Sequence, residues 1–261
     1  MNVISVSVGI AFVVAAMAIV FGSYFLARRL LRVGDEVDRT PDAAASIAVR
    51  IAALHGLILA LVYAQELDDY KGIRNVLTQE ATAVSDVYHD IYRYGGPVVG
   101  PVQVTLASYL DTVVNEEWDR LARGEGLSAQ AWIDWDKVYG ILLDLSPSTD
   151  RERYLAGRMR DRITAVAGYR QLREATAVGR FSGLFWAPAL IGLALLSVPF
   201  YVFRPSRNNV VLLSIFALYS GVILFFIYAF ANPFAQPGKL QPAPFQHLLR
   251  GDIGQSLPPK G

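Results

Sequence analysis

The chain has 261 residues, 53% hydrophobic and 18% charged, with a formal net charge of +1 and no cysteine. That near-neutral balance argues against nucleic acid as a partner, and the missing thiols exclude disulfides, thiolate catalysis and cysteine-bound metals. The charge is also segregated along the chain, where a soluble domain of this size would spread it.

Four apolar runs result, at 3–26, 48–64, 183–202 and 210–231. A bilayer core takes roughly 20 apolar residues in helix, so the runs predict an all-α integral membrane protein with four transmembrane helices. The predicted plan is a first transmembrane hairpin over 1–66, a helical extramembrane bundle over 67–180 inserted between spans two and three, a second hairpin over 181–231, and a Pro-rich tail over 232–261. The first run is not read as a signal peptide. Its basic residues (Arg28, Arg29, Arg32) follow the apolar stretch instead of preceding it, and the stretch is long for a signal core. Basic residues in short loops mark the cytoplasmic side. Arg28, Arg29, Arg32 and Arg39 in the first loop, with Arg204 and Arg207 in the last, predict a multi-pass inner-membrane protein with its bundle and both termini outside the cytoplasm.

The second run continues as a helix whose apolar stripe includes Ile73, Val76, Leu77, Val84, Val87, Tyr88, Ile91 and Tyr92, and which breaks at Gly95-Gly96-Pro97. A second bundle helix opens near Pro101, carries Leu106, Leu110, Val113, Trp118 and Leu121, and stops at Gly124. Ser128 is placed to cap a third, with Trp132, Trp135, Val138 and Leu142. Thr149 with Glu152 reads as a capping box opening a fourth, whose stripe is taken as Leu155, Met159, Ile163, Val166, Tyr169 and Leu172. The tail is read as an extended segment lying on the protein, or as disordered.

Enzyme motifs are absent, so catalysis is not expected and no cofactor is implied. The acidic pairs Glu116-Glu117 and Asp134/Asp136 read as solvated helix faces. The better lead is His55, an ionisable residue inside a span, where such groups face a bundle interior or a watery path. Glu66, eleven residues on, returns to within roughly 20° of it, and Glu80 comes back to nearly the same face. Copies arranged about an axis would turn this stripe into rings of titratable groups. His55, Leu59, Tyr63, Glu66, Asp69 and Glu80 are therefore the candidate ion pathway. The alternative is that His55 bonds a neighbouring helix and Glu66 pairs with Lys71 or Arg74. Tyr63 is also readable as an interfacial anchor.

The stretch Gln79-Glu80-Ala81-Thr82-Ala83-Val84-Ser85-Asp86-Val87-Tyr88, then Tyr109-Leu110, Glu116-Glu117-Trp118, Asn232-Pro233-Phe234 and Pro244-Phe245, resembles a family of bestrophin-like membrane proteins. Thr82 stands where that family usually has Asn. The resemblance implies a relation to bestrophins, pentameric anion channels with four-helix membrane regions, and hence a homo-oligomer with the lipid bilayer and inorganic ions as partners. The stacked phenylalanines of a bestrophin neck have no counterpart in the second span, and the acidic stripe favours cations. Three functions are compatible with the chain. The first is an oligomeric channel lined by the second span and pH-sensitive through His55 or Glu66. The second is a non-conducting scaffold or sensor whose bundle binds a partner through Trp118, Trp132, Trp135 or Tyr139. The third, a secondary transporter, would need a site shared by two chains.

Overall fold

The computed structural model describes residues 3–31, 41–178 and 183–257. Arg32, Arg39 and Arg180 lie outside them. Every regular element among the described residues is helical. Four helices are long and apolar enough to cross a membrane, over Val3–Leu30, Pro41–Tyr94, Phe185–Val202 and Arg207–Phe230. The chain divides into two compact units, Met1–Asp69 with Phe181–Ala231, and Tyr70–Arg180 with Asn232–Gly261.

The first unit holds α1 (Val3–Leu30), the first part of α2 (Pro41–Tyr94), α7 (Gly183–Ser197) with a 3-10 turn at Val198–Val202, and α8 (Arg207–Phe230). Helices α1 and α8 pack closely because small residues face each other. Ala16 and Ala217 are buried, and a Cβ added at Gly221 would stand 2.7 Å from Val13 Cα and 3.1 Å from the Phe12 carbonyl oxygen. Phe12 then fills the space between Trp186, Phe225 and Tyr228, at ring distances of 5.8, 6.3 and 5.2 Å. The end of α1 is fastened to the 3-10 turn and the residue after it. Tyr24 Oη donates to the Phe203 carbonyl at 2.8 Å, and Arg28 Nη1 donates to Tyr201 and Phe203 carbonyls at 2.9 and 3.0 Å. These are carbonyls that a helix end leaves without internal partners. Arg28 thus has a structural task.

The second unit combines the rest of α2 with α3 (Val99–Thr112), a π-turn at Val113–Glu117, α4 (Trp118–Arg123), α5 (Ala129–Leu143), α6 (Asp150–Val178) and α9 (Ala243–Arg250), followed by a 3-10 turn at Asp252–Ser256. The capping box forms: Glu152 N–H donates to Thr149 Oγ1 at 3.2 Å, and Thr149 N–H donates to Glu152 Oε2 at 3.3 Å. Ser128 occupies the cap position of α5, but its side chain makes no capping bond. Its N–H is drawn to Glu117 Oε1 at 3.0 Å.

The tail lies on the protein and is helical over Ala243–Arg250, where an extended or disordered segment is expected. Asn232 accepts the N–H groups of Phe234 and Ala235 through its side chain, which turns the chain back. Phe234 and Phe245 are then fully buried, with Trp118 edge-on to both at 5.7 and 5.9 Å, and the Trp118 indole N–H donates to the Leu240 carbonyl at 2.8 Å. Proline-rich composition concealed a few large apolar anchors whose spacing follows no helical or strand period.

Gly221→Val should destabilise the first unit by about 1–3 kcal/mol, because the added methyls meet backbone that cannot move aside. A lowered thermal midpoint of the purified full chain reads this out. An unchanged midpoint would mean that α1 and α8 are not packed this closely.

Candidate ion pathway

In the first unit α2 has two unlike faces. One packs against its own protomer through Ala44, Ala48, His55 and Leu59, each less than a tenth exposed. The other bears Leu54, Leu57 and Leu61, exposed by 65%, 57% and 63%. His55 lies against α7 at Gly192, where any added Cβ would collide with the imidazole Nδ1. The imidazole Nε2 is buried without a hydrogen-bond partner. Tyr63 is half-buried, edge-on to Phe230 at 5.7 Å. Glu66 is half-buried, and Asp69 is exposed, accepting from Gln65 Nε2 at 2.9 Å. His55, Leu59, Tyr63 and Glu66 thus share one side of α2, as the helical spacing predicts, and that side is the one turned toward protein.

Glu80 has a different surrounding. It is fully buried in the second unit, where Tyr109 Oη donates to its Oε1 at 2.5 Å and Arg173 Nη2 stands 3.3 Å away. The same arginine donates to Glu117 Oε2 at 2.6 Å, and Arg170 Nη2 donates to Glu117 Oε1 at 2.8 Å. Arg170 Nη1 also reaches Tyr109 Oη at 3.2 Å. Both guanidinium groups lie over rings: Arg170 over Trp132 at 4.5 Å, and Arg173 over Trp118 and Phe245, each at 5.6 Å. Burial pushes the Glu80 carboxyl up from its ordinary value, with Arg173 opposing that rise. Burial, and then the neighbouring Glu80, push the Tyr109 phenol well above its usual range, so it remains the donor.

This cluster corrects the reading of Glu117 as a solvated residue. Asp134 is corrected too: it is buried, accepting from Ser108 Oγ at 2.9 Å and Gln130 Nε2 at 3.0 Å. The stripe of α6 shifts as well. Leu172 is 51% exposed, and the buried line runs Met159, Ile163, Val166, Arg170, Arg173. The signal was present in the spacing, since each buried ion of the cluster falls three or four residues from apolar core positions on its own helix. Among the described residues no group of three or more His, Cys, Asp or Glu side chains is placed to hold a metal ion.

Membrane-length helices around a packed, small-residue interface, joined to a helical bundle built on buried ion pairs, define a four-span helical membrane protein. The sequence profile of the Bestrophin-like domain matches residues 14–245, and the chain belongs to the bestrophin-like family. Crystal structures of three variants of a bacterial bestrophin homologue from Klebsiella pneumoniae superpose with TM-scores of 0.64, 0.62 and 0.63, at sequence identities of 11%, 12% and 11%. Each alignment covers 95% of this chain and 98% of the other. At such identity the likeness is one of fold. No curated protein matches the chain.

Glu117→Ala leaves Arg170 buried without a carboxylate and Arg173 with Glu80 alone, and should cost about 3–5 kcal/mol of stability. Glu116→Ala, at an exposed neighbour, should change stability by less than about 0.5 kcal/mol. Thermal unfolding of both variants followed by circular dichroism checks this. Equal midpoints would show that the cluster contributes nothing particular.

Proposed function

We propose that the chain is one subunit of a homo-oligomeric ion channel, with α2 as the helix lining the path. The observation that carries this reading is the asymmetry of α2 in its membrane-length stretch. One side is covered by its own protomer, while the other is bare and ends in the exposed Asp68, with the exposed Asp69 at its edge. Family membership supports the channel class, and the family resemblance suggests a pentamer. Rings of Asp68 and Asp69 at one end of the path would favour cations. His55 and Leu59 then stand behind the wall, and pH sensitivity at His55 would act through its contact with Gly192 of α7. The scaffold reading gains no support: Trp118 is 3% exposed, and Trp132, Trp135 and Tyr139 pack against the core.

Purified protein reconstituted in liposomes should pass ions, with a reversal potential in a KCl gradient that favours K⁺. Asp69→Asn should cut that preference roughly twofold or more, since it removes one charge per subunit from the mouth. An absence of cation and anion flux at every pH tested would sink the channel reading. An unchanged preference in the variant would remove Asp69 from the path.

The arginine-bearing ends of the spans, at Arg29, Arg204 and Arg207, support a topology with the bundle outside the cytoplasm. Because the chain has no cysteine, Glu116→Cys introduces a single exposed thiol on the bundle. In intact cells it should react with an impermeant maleimide. Labelling that appears only after lysis would invert the topology.

A further inference from the structure

Within the second unit, α2 and the returning C-terminal segment flank an open groove of about 710 Å³. That lies within the size range of sites that hold small organic molecules. Its accessible apolar surface comes from the half-buried Leu240 and Leu248, which lie over the buried Leu77 and Ala81. Along the α2 wall, Arg74, Thr78 and Thr82 follow one another at one-turn intervals and are all exposed. The charge in the groove is one-sided. Asp86, at the far end, is held by Arg158 and Arg162 at 3.3 and 3.0 Å. No carboxylate pairs with Arg74 among the described residues, and the remaining ionisable lining residue is His247.

The hydroxyls add a second requirement. Thr78 Oγ1 donates to the Arg74 carbonyl at 3.2 Å, and Thr82 Oγ1 donates to the Thr78 carbonyl at 2.8 Å. Their protons are spent on the helix, so the oxygens they present to the groove are acceptors. A ligand matching this order has an anion at the Arg74 end, an N–H next to it, and an apolar body along the floor. Arg74 is the one guanidinium among the residues lining the groove, and its planar fork matches a carboxylate.

We propose that this groove is a binding site for a small N-acyl amino acid or similar amido-carboxylate with an apolar side chain. Arg74 holds the carboxylate, Thr78 and Thr82 accept the amide N–H, and Leu240 and Leu248 cover the side chain. The site stands on the groove alone and does not depend on ion conduction.

Calorimetric titration of the full chain in phosphatidylcholine nanodiscs tests it, with N-acetylphenylalanine as probe and empty nanodiscs as blank. Saturable binding is expected, weakened about tenfold or more by Arg74→Gln, since a charge-assisted hydrogen bond is lost. Arg74→Lys, keeping charge without the fork, should fall between the two. The uncharged carboxamide of the same probe should bind about tenfold more weakly to the wild-type chain. Phenylpropanoate, which lacks the N–H, should bind several-fold more weakly. Arg74 is exposed, so its variants should keep the wild-type melting midpoint. The proposal is overturned by heat no greater than the blank, by equal affinity in wild type and Arg74→Gln, or by equal affinity for acid and carboxamide. Equal affinity for phenylpropanoate would overturn the role of the threonines.

Discussion

The bundle depends on one clamp, in which Glu117 holds Arg170 with one carboxylate oxygen and Arg173 with the other, all three side chains fully buried. Buried ions tolerate little error, because removing either partner leaves an uncompensated charge in a medium that cannot solvate it. Five helical elements meet at this point. The π-turn supplies Glu117, α6 the arginines, α2 Glu80, α3 Tyr109, and α9 the ring of Phe245 over Arg173. A bundle of Leu, Val and Ala alone would tolerate sliding of one helix along another, since apolar contact is non-directional. Paired carboxylate and guanidinium groups hold one register. The clamp also accounts for the docked tail, because Phe245 closes over Arg173 and Trp118 where that guanidinium would otherwise be open.

The spans were legible because bilayer length and an absence of charge are strong, redundant signals. The capping box at Thr149 and Glu152 was legible because it is local, needing only residues three apart. The clamp is hidden in the sequence by the ordinary preference of charged side chains for water. Arg170 and Arg173 continue the Met159–Ile163–Val166 line without a gap, yet a charged side chain is assigned to solvent by default. A stripe through Tyr169 and Leu172 keeps both arginines in water but lies one residue away from the buried line. Glu117 and Asp134 were lost in the same way. When ionisable residues of opposite sign occupy apolar-stripe positions on different helices, they mark a buried pair.

The tail shows the opposite difficulty. Phe234, Phe245 and Ile253 carry its packing, but no period links them, and Asn232, Pro233, Pro237 and Pro242 dominate its local character. Composition alone reads as solvent-exposed chain. What draws the segment in is the Trp118 indole, whose N–H finds the Leu240 carbonyl while its ring meets both phenylalanine rings at steep angles. That partner lies 122 positions away in the chain. Local propensity carries no information about such a contact.

Helical arithmetic placed His55, Glu66 and Glu80 on one side of α2, and the structure keeps them there, on the side that packs. A stripe of ionisable groups along a membrane helix identifies the side that avoids lipid, and both a water-filled path and a protein neighbour satisfy that condition. Small residues decide which one applies. Gly192 leaves a recess on α7 that the imidazole of His55 occupies, and Leu59 packs one turn further along the same face. The bare side is then the one lined by Leu54, Leu57 and Leu61. For a single protomer a membrane covers that side adequately. In an oligomer arranged about α2 the same leucines would meet across the axis as a dry constriction, a form of gate that works by expelling water and needs no charge. The acids at the end of the stretch would then act at the mouth of the path, and the histidine would act by setting how firmly α2 is held against α7.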